Sequence, residues 1–143
     1  MKAISIRNPW AYDIFCGKKV YEFRTWNTTH RGDLLICSSA NPKIIGTFCG
    51  CALVVCNLSN VTQVNLDNYK KFGVNKPKIG EKLYAWHLTD FRTIKPFKIK
   101  GKLNFYNVDD NLIEYIDETN LTEEECEEIY KKYFEPLIYQ GEK

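Results

Sequence analysis

At 143 residues the chain is long enough to bury a core of its own, and its 14% aromatic content supplies large rings to fill one. No stretch approaches the roughly 18 consecutive apolar residues of a membrane helix. The chain opens on a strand-like alternation rather than a charged-then-apolar leader, so the expectation is a cytoplasmic protein with no membrane contact. The net charge of +2 conceals an asymmetry: residues 1–105 hold 17 Lys and Arg against 6 Asp and Glu, and residues 106–143 hold 3 against 12. A body at +11 points to a polyanion, and a terminal segment at −9 is expected to pack on that body or to compete for its ligand.

In chain order, residues 2–6 alternate as a first strand should. Asn8-Pro9-Trp10 reads as a helix start, with Asn8 as cap and Pro9 at the first helical position. Trp10, Ala11, Ile14 and Phe15 then give an apolar helical face, and Gly17 a stop. Residues 20–26 read as a strand. Its alternation sets Tyr21, Phe23 and Thr25 on one side, suited to a core, and Val20, Glu22, Arg24 and Trp26 on the other, suited to a cleft. Residues 34–37 are apolar throughout, as in a strand buried on both faces. The longest strand-like stretch is 44–58, interrupted by Gly46 and Gly50. Residues 65–72 form a short helix candidate stopped by Gly73. Residues 83–88 and 97–103 read as closing strands, the second placing Lys98, Lys100 and Lys102 on one positive face.

After about Val108 the composition changes. Thr122-Glu123-Glu124-Glu125 is a capping box, and Cys126, Ile129, Tyr130, Tyr133 and Leu137 follow at helical spacing, so the extension is an acidic helix that packs on the body or on a second copy of itself. The expected division is 1–108 and 109–143. Among the six cysteines, Cys49, Cys51 and Cys56 lie in the apolar stretch, where thiols behave as small hydrophobes. Cys49 and Cys51 share a strand face, but no second Cys or His pair stands at zinc spacing, so neither a metal nor any other cofactor is expected.

Several separate motifs occur together: Ser5-Ile6-Arg7-Asn8-Pro9-Trp10-Ala11, then Gly17-Lys18-Lys19-Val20-Tyr21-Glu22-Phe23-Arg24-Thr25-Trp26, then Arg31-Gly32 and Ser38-Ser39, with Tyr84-Ala85-Trp86-His87-Leu88 later. In this order they resemble the ASCH family over roughly residues 1–108. The resemblance implies a mixed α/β (α+β) fold, a PUA-like small β-barrel with short flanking helices, here with the acidic helical extension. It implies binding of nucleic acid, often RNA, or of a nucleotide or nucleoside ligand. Some small members hydrolyse modified nucleosides or cut RNA. Those that act on acylated cytidine use a lysine, a threonine three residues later and a distant glutamate. Lys19 matches the lysine, but Glu22 stands in the threonine's place, which removes the hydroxyl nucleophile.

Three function classes follow, the last a protein-interaction adaptor that uses the acidic helix. The first is a binding module whose cleft is lined by Lys19, Glu22, Arg24, Trp26, Arg31 and Ser38. Lys19, Arg24 or Arg31 would meet a phosphate, Glu22 would accept from a base edge, and Trp26 would stack on a base. The second is a small hydrolase in which Lys19 and Glu22 form an acid/base pair acting on water. The bland alternative, an ion pair on a solvated face, would contribute little.

Overall fold

The computed structural model describes residues 1–142. Six strands form one sheet: β1 (Lys2–Ile6), β2 (Tyr21–Arg24), β3 (Gly32–Ser38), β4 (Cys51–Gln63), β5 (Tyr84–Lys98) and β6 (Phe105–Asn107). Their spatial order is β2-β5-β4-β3-β1-β6. The β1–β3 pair is parallel and the other pairs are antiparallel, so the sheet is mixed. Helix α1 (Trp10–Phe15) lies between β1 and β2, and α2 (Tyr69–Phe72) between β4 and β5.

The alternation of β3 explains its position at the centre. Leu34 and Ile36 point to one cluster, with Ile4, Ile6, Leu53, Leu58 and Trp86. Leu35 and Cys37 point to the other, with Ala3, Val55, Ile94 and Tyr106. A strand covered on both faces needs no polar residue, and residues 34–38 are all buried. A third, smaller cluster of Val64, Phe72 and Ala85 receives Tyr21 and Phe23 from β2. Gly73 ends α2 in the left-handed conformation, at φ 71°, where a side chain would be strained.

The acidic segment packs on the body. The chain runs through 3-10 turns into helix α3 (Glu123–Ile129), continues as one π turn (Tyr130–Phe134) and closes in a 3-10 turn (Glu135–Leu137). The Thr122–Glu125 capping box forms in both directions. Glu123, Glu124 and Glu125 occupy the first turn, where the helix dipole favours them. Phe134 is buried, its ring 5.9 Å from Phe15 and 6.4 Å from Phe48. Ile138 pairs with Phe48 in an isolated antiparallel bridge.

The closed β-barrel expected from the sequence is not what forms. The edges of the sheet, β2 and β6, share no ladder among the described residues. The sheet curls until those edges approach, but rings fill the gap. Trp26, just past β2, meets Trp86 at 4.8 Å and Phe105 of β6 at 5.2 Å, both edge-on. An indole standing between two edges keeps their backbones beyond the roughly 4.8 Å spacing that ladder hydrogen bonds require. A side chain bridges the seam instead: Arg24 Nη2 donates to the Ser5 carbonyl of β1 at 3.1 Å.

Other strand expectations shift for local reasons. The apolar stretch at 44–58 becomes strand only from Cys51 and runs on to Gln63, because Gly46 and Gly50 adopt positive φ and bend the chain before it. Strand β5 is a single element ending at Lys98. Lys100 and Lys102 therefore lie in a loop rather than on a shared strand face with Lys98.

No helix among the described residues is long and apolar enough to cross a membrane. All six cysteines are free, four of them buried. No group of three or more His, Cys, Asp or Glu among the described residues is placed to hold a metal ion.

Candidate functional site

A hollow of about 390 Å³ opens where the end of β1, the start of α1 and strand β2 converge. Ser5, Ile6 and Arg7 supply one side, Trp10 the rim, Lys19, Glu22, Phe23 and Arg24 the other side, and Val74 closes it from beyond α2. The geometry follows from chain reversal. Helix α1 has fewer than two turns, so the chain returns at once, bringing Lys19 and β2 back past the end of β1.

Glu22 is the organising residue. It is only 6% exposed, yet it carries a charge. Three hydrogen bonds converge on its carboxylate, within ion pairs to Lys19 and Arg24. Lys19 Nζ (3.3 Å) and the Phe23 backbone N–H (3.2 Å) reach Oε1. Arg24 donates to Oε2 from Nε at 3.2 Å, while its Nη2, an ion-pair contact 3.0 Å from Oε2, donates to the Ser5 carbonyl. A carboxylate offers about four lone-pair sites, so these three bonds fill Oε1 and leave one site on Oε2. Burial of the carboxylate is compensated by Lys19, Arg24 and a peptide N–H. Lys19 also lies over the Phe23 ring at 5.0 Å, which fixes the path of its stem.

The balance of the hollow is positive. Arg7, Lys19 and Arg24 stand against a single carboxylate, already bonded to Lys19 and Arg24. Trp10 adds an indole that is 51% exposed, one of the large apolar side chains the fold leaves uncovered. The walls are otherwise Ile6, Phe23 and Val74. Such a cavity can hold a flat, partly apolar molecule that carries negative charge and accepts hydrogen bonds.

Of the residues singled out in the sequence, Lys19, Glu22 and Arg24 come together here. The other three lie elsewhere. Trp26 packs into the seam against Trp86 and Phe105. Arg31 is exposed and donates from Nη1 to the Thr28 and His30 carbonyls of its own loop. Ser38 is 1% exposed and its Oγ accepts from the Cys51 N–H at 3.1 Å, tying β3 to β4. The lining residues not singled out in the sequence include Arg7, and Trp10, whose place on the apolar helical face suggests core. Trp10 stands about 40° of helix rotation from the buried Ile14, so spacing within so short a helix does not mark it as outward-facing.

A curled, open mixed sheet with short helices and a cation-lined hollow at its seam defines a PUA-like module. The ASCH domain model matches residues 4–143, and the chain belongs to the ASCH domain family. Among solved structures it is similar to ASCH from Zymomonas mobilis, at 17% identity with a TM-score of 0.56, covering 99% of this chain and 97% of that one. Two single-substitution variants of that protein also match. The one with alanine in place of a serine does so at 16% identity and TM-score 0.58, covering 78% of this chain and 95% of that one. The one with phenylalanine in place of a tyrosine does so at 16% and 0.56, covering 92% and 96%. At such identities the likeness is one of fold. No match is found among curated proteins.

Proposed function

We propose that the chain is a nucleic-acid-binding module, directed to RNA, that takes a single unstacked nucleotide into the hollow beside Glu22. The observation that carries this reading is the pairing of an exposed indole with three cations around a cavity of about 390 Å³. RNA recognition commonly draws out a base, stacks it on an aromatic ring and reads its edge. In this reading Trp10 stacks on the base, and Lys19 and Arg24 donate to its carbonyls or to the adjoining phosphate. Arg7 grips phosphate at the open side. Glu22, bonded to both, holds Lys19 and Arg24 in place.

The second reading, hydrolysis of a modified nucleoside or of RNA, rests on the Lys19–Glu22 contact at 3.3 Å. Against it stands the engagement of that carboxylate: Oε1 already accepts from Lys19 and the Phe23 N–H, and only one site on Oε2, beside Arg24, is left to take a proton. Calorimetric titration with nucleoside monophosphates, beside a turnover assay on acylated nucleosides and RNA, tests both. Binding lost in Lys19→Ala, without turnover in the native protein, is the expected result. Turnover abolished by Glu22→Gln would replace the binding reading with the hydrolytic one.

A further inference from the structure

We infer that the nucleotide hollow is the end of a longer basic track, and that the ligand is a single strand whose phosphates run from Arg24 past Ser5 to Lys43. The inference rests on the nucleotide reading of the hollow. Its own basis is the way three cavities adjoin. Ser5 lines the nucleotide hollow and also a second cavity of about 500 Å³, walled by Ser39, Asn41, Lys100 and Lys102. That second cavity shares Ala40, Ile99 and Lys100 with a third of about 380 Å³, which adds Lys43 and Lys98. The three therefore neighbour one another, the first pair across Ser5 and the second across Lys100.

The joint at Ser5 is held firmly. Its carbonyl accepts from Arg24 at 3.1 Å, and its hydroxyl meets the Tyr106 hydroxyl at 2.6 Å. The loop carrying Lys100 and Lys102 is pressed against it: a Cβ on Gly101 would fall 2.6 Å from Ser5 Oγ. Only glycine lets this loop come so near, and the approach sets its lysines along the continuation of the hollow.

Charge decides what such a track takes. No carboxylate lines the second or third cavity among the described residues. Lys43, Lys98, Lys100 and Lys102 are exposed and form no ion pair among the described residues, whereas Arg92 and Lys95, elsewhere on β5, each hold a carboxylate. The acidic residues of the terminal helix do not line any of the three cavities. Leu103, 91% exposed, stands in the second cavity as an apolar surface for a ribose or base. A row of unpaired cations with an interposed apolar contact fits a single-stranded phosphodiester backbone. A duplex keeps its bases stacked and cannot place one in the nucleotide hollow without extruding it.

The test compares a nucleoside monophosphate with labelled single-stranded RNA of increasing length, by calorimetry and fluorescence anisotropy at several salt concentrations. The variant is Lys43→Gln, Lys98→Gln, Lys100→Gln and Lys102→Gln combined. The native protein is expected to bind RNA more tightly as length increases. The variant should keep its affinity for the monophosphate and lose about tenfold or more for the longer RNA. Its plot of log affinity against log salt should flatten by about 0.7 for each lysine that meets a phosphate. Native-like RNA affinity and salt slope in the variant, with monophosphate binding intact, would overturn the track alone. Absence of monophosphate binding in the native protein would overturn the nucleotide reading and the track with it.

Discussion

Alanine in place of Trp10 and of Trp26 should give opposite patterns of loss. Trp10 is 51% exposed, so about half of a ring system that can bury 150–250 Å² is covered in the free protein. At about 25 cal/mol per Å², reduced for the compactness of real unfolded chains, its removal costs about 1–2 kcal/mol of stability. Trp26 meets two rings edge-on at 4.8 and 5.2 Å and joins the two edges of the sheet. Its removal should cost about 3–4 kcal/mol, toward the lower end for a buried tryptophan because part of it remains exposed. At about 4 °C per kcal/mol for a chain of this size, Trp26→Ala lowers Tm by about 12–16 °C and Trp10→Ala by about 4–8 °C. Binding should reverse the order. Loss of a stacking ring is worth about 1–3 kcal/mol, so Trp10→Ala weakens nucleotide binding by about 5- to 150-fold. Trp26→Ala, assayed well below its Tm, should weaken it far less. Thermal unfolding followed by circular dichroism, with calorimetric titration of a nucleoside monophosphate, reads both quantities. Native nucleotide affinity in Trp10→Ala would refute the placement of the base against that ring.

Lys19→Ala removes one of the cations facing the hollow, and a charge-assisted hydrogen bond is worth about 1.5–3 kcal/mol, so monophosphate affinity should fall by about 10- to 150-fold in calorimetric titration. His87 has its pKa lowered by burial and then by the nearby Lys71, and its Nε2 lies 2.8 Å from Thr62 Oγ1. A histidine whose folded pKa lies below its unfolded value of about 6.5 contributes stability above that pH and loses it as pH falls toward the folded pKa. Urea midpoints should therefore drop as pH is lowered from about 7 to about 5, and His87→Gln should flatten that dependence. Burial pushes the Cys37 thiol up to about 11 and the Cys56 thiol up to about 12. An alkylating reagent should label the exposed Cys16 and Cys126 in the native protein and reach Cys37 and Cys56 only on unfolding, as peptide mass mapping would show.

Local signals were legible where they depend on neighbours in sequence. The bounds of β1, the left-handed stop at Gly73 and the reciprocal Thr122–Glu125 cap all follow from spacing over a few residues. The convergence of Glu22 and Arg24 was legible for the same reason, since two-residue alternation holds within β2, whereas Lys19 lies before the strand and reaches Glu22 at three residues' spacing. It does not hold past the strand's end. Arg24 is the last residue of β2, so Trp26 is free of the alternation that placed it beside Glu22 and turns into the seam. The same limit applies to Lys100 and Lys102, which alternate with Lys98 in sequence but lie beyond the end of β5. Trp10 escaped because an isolated turn and a half of helix has no periodicity long enough to fix its rotation. Whether a curled sheet closes is a matter of what stands between its edge strands β2 and β6, and those lie some 80 residues apart.

Arg24 belongs both to the wall of the hollow and to the bond that spans the open side of the sheet. Anything drawn to its guanidinium also acts on the distance between the two margins of the fold. Because no backbone ladder among the described residues crosses there, those margins can separate or draw together while every strand pairing in the sheet stays intact. Occupancy of the hollow and the tightness of the fold's unzipped side are thus coupled through a single residue.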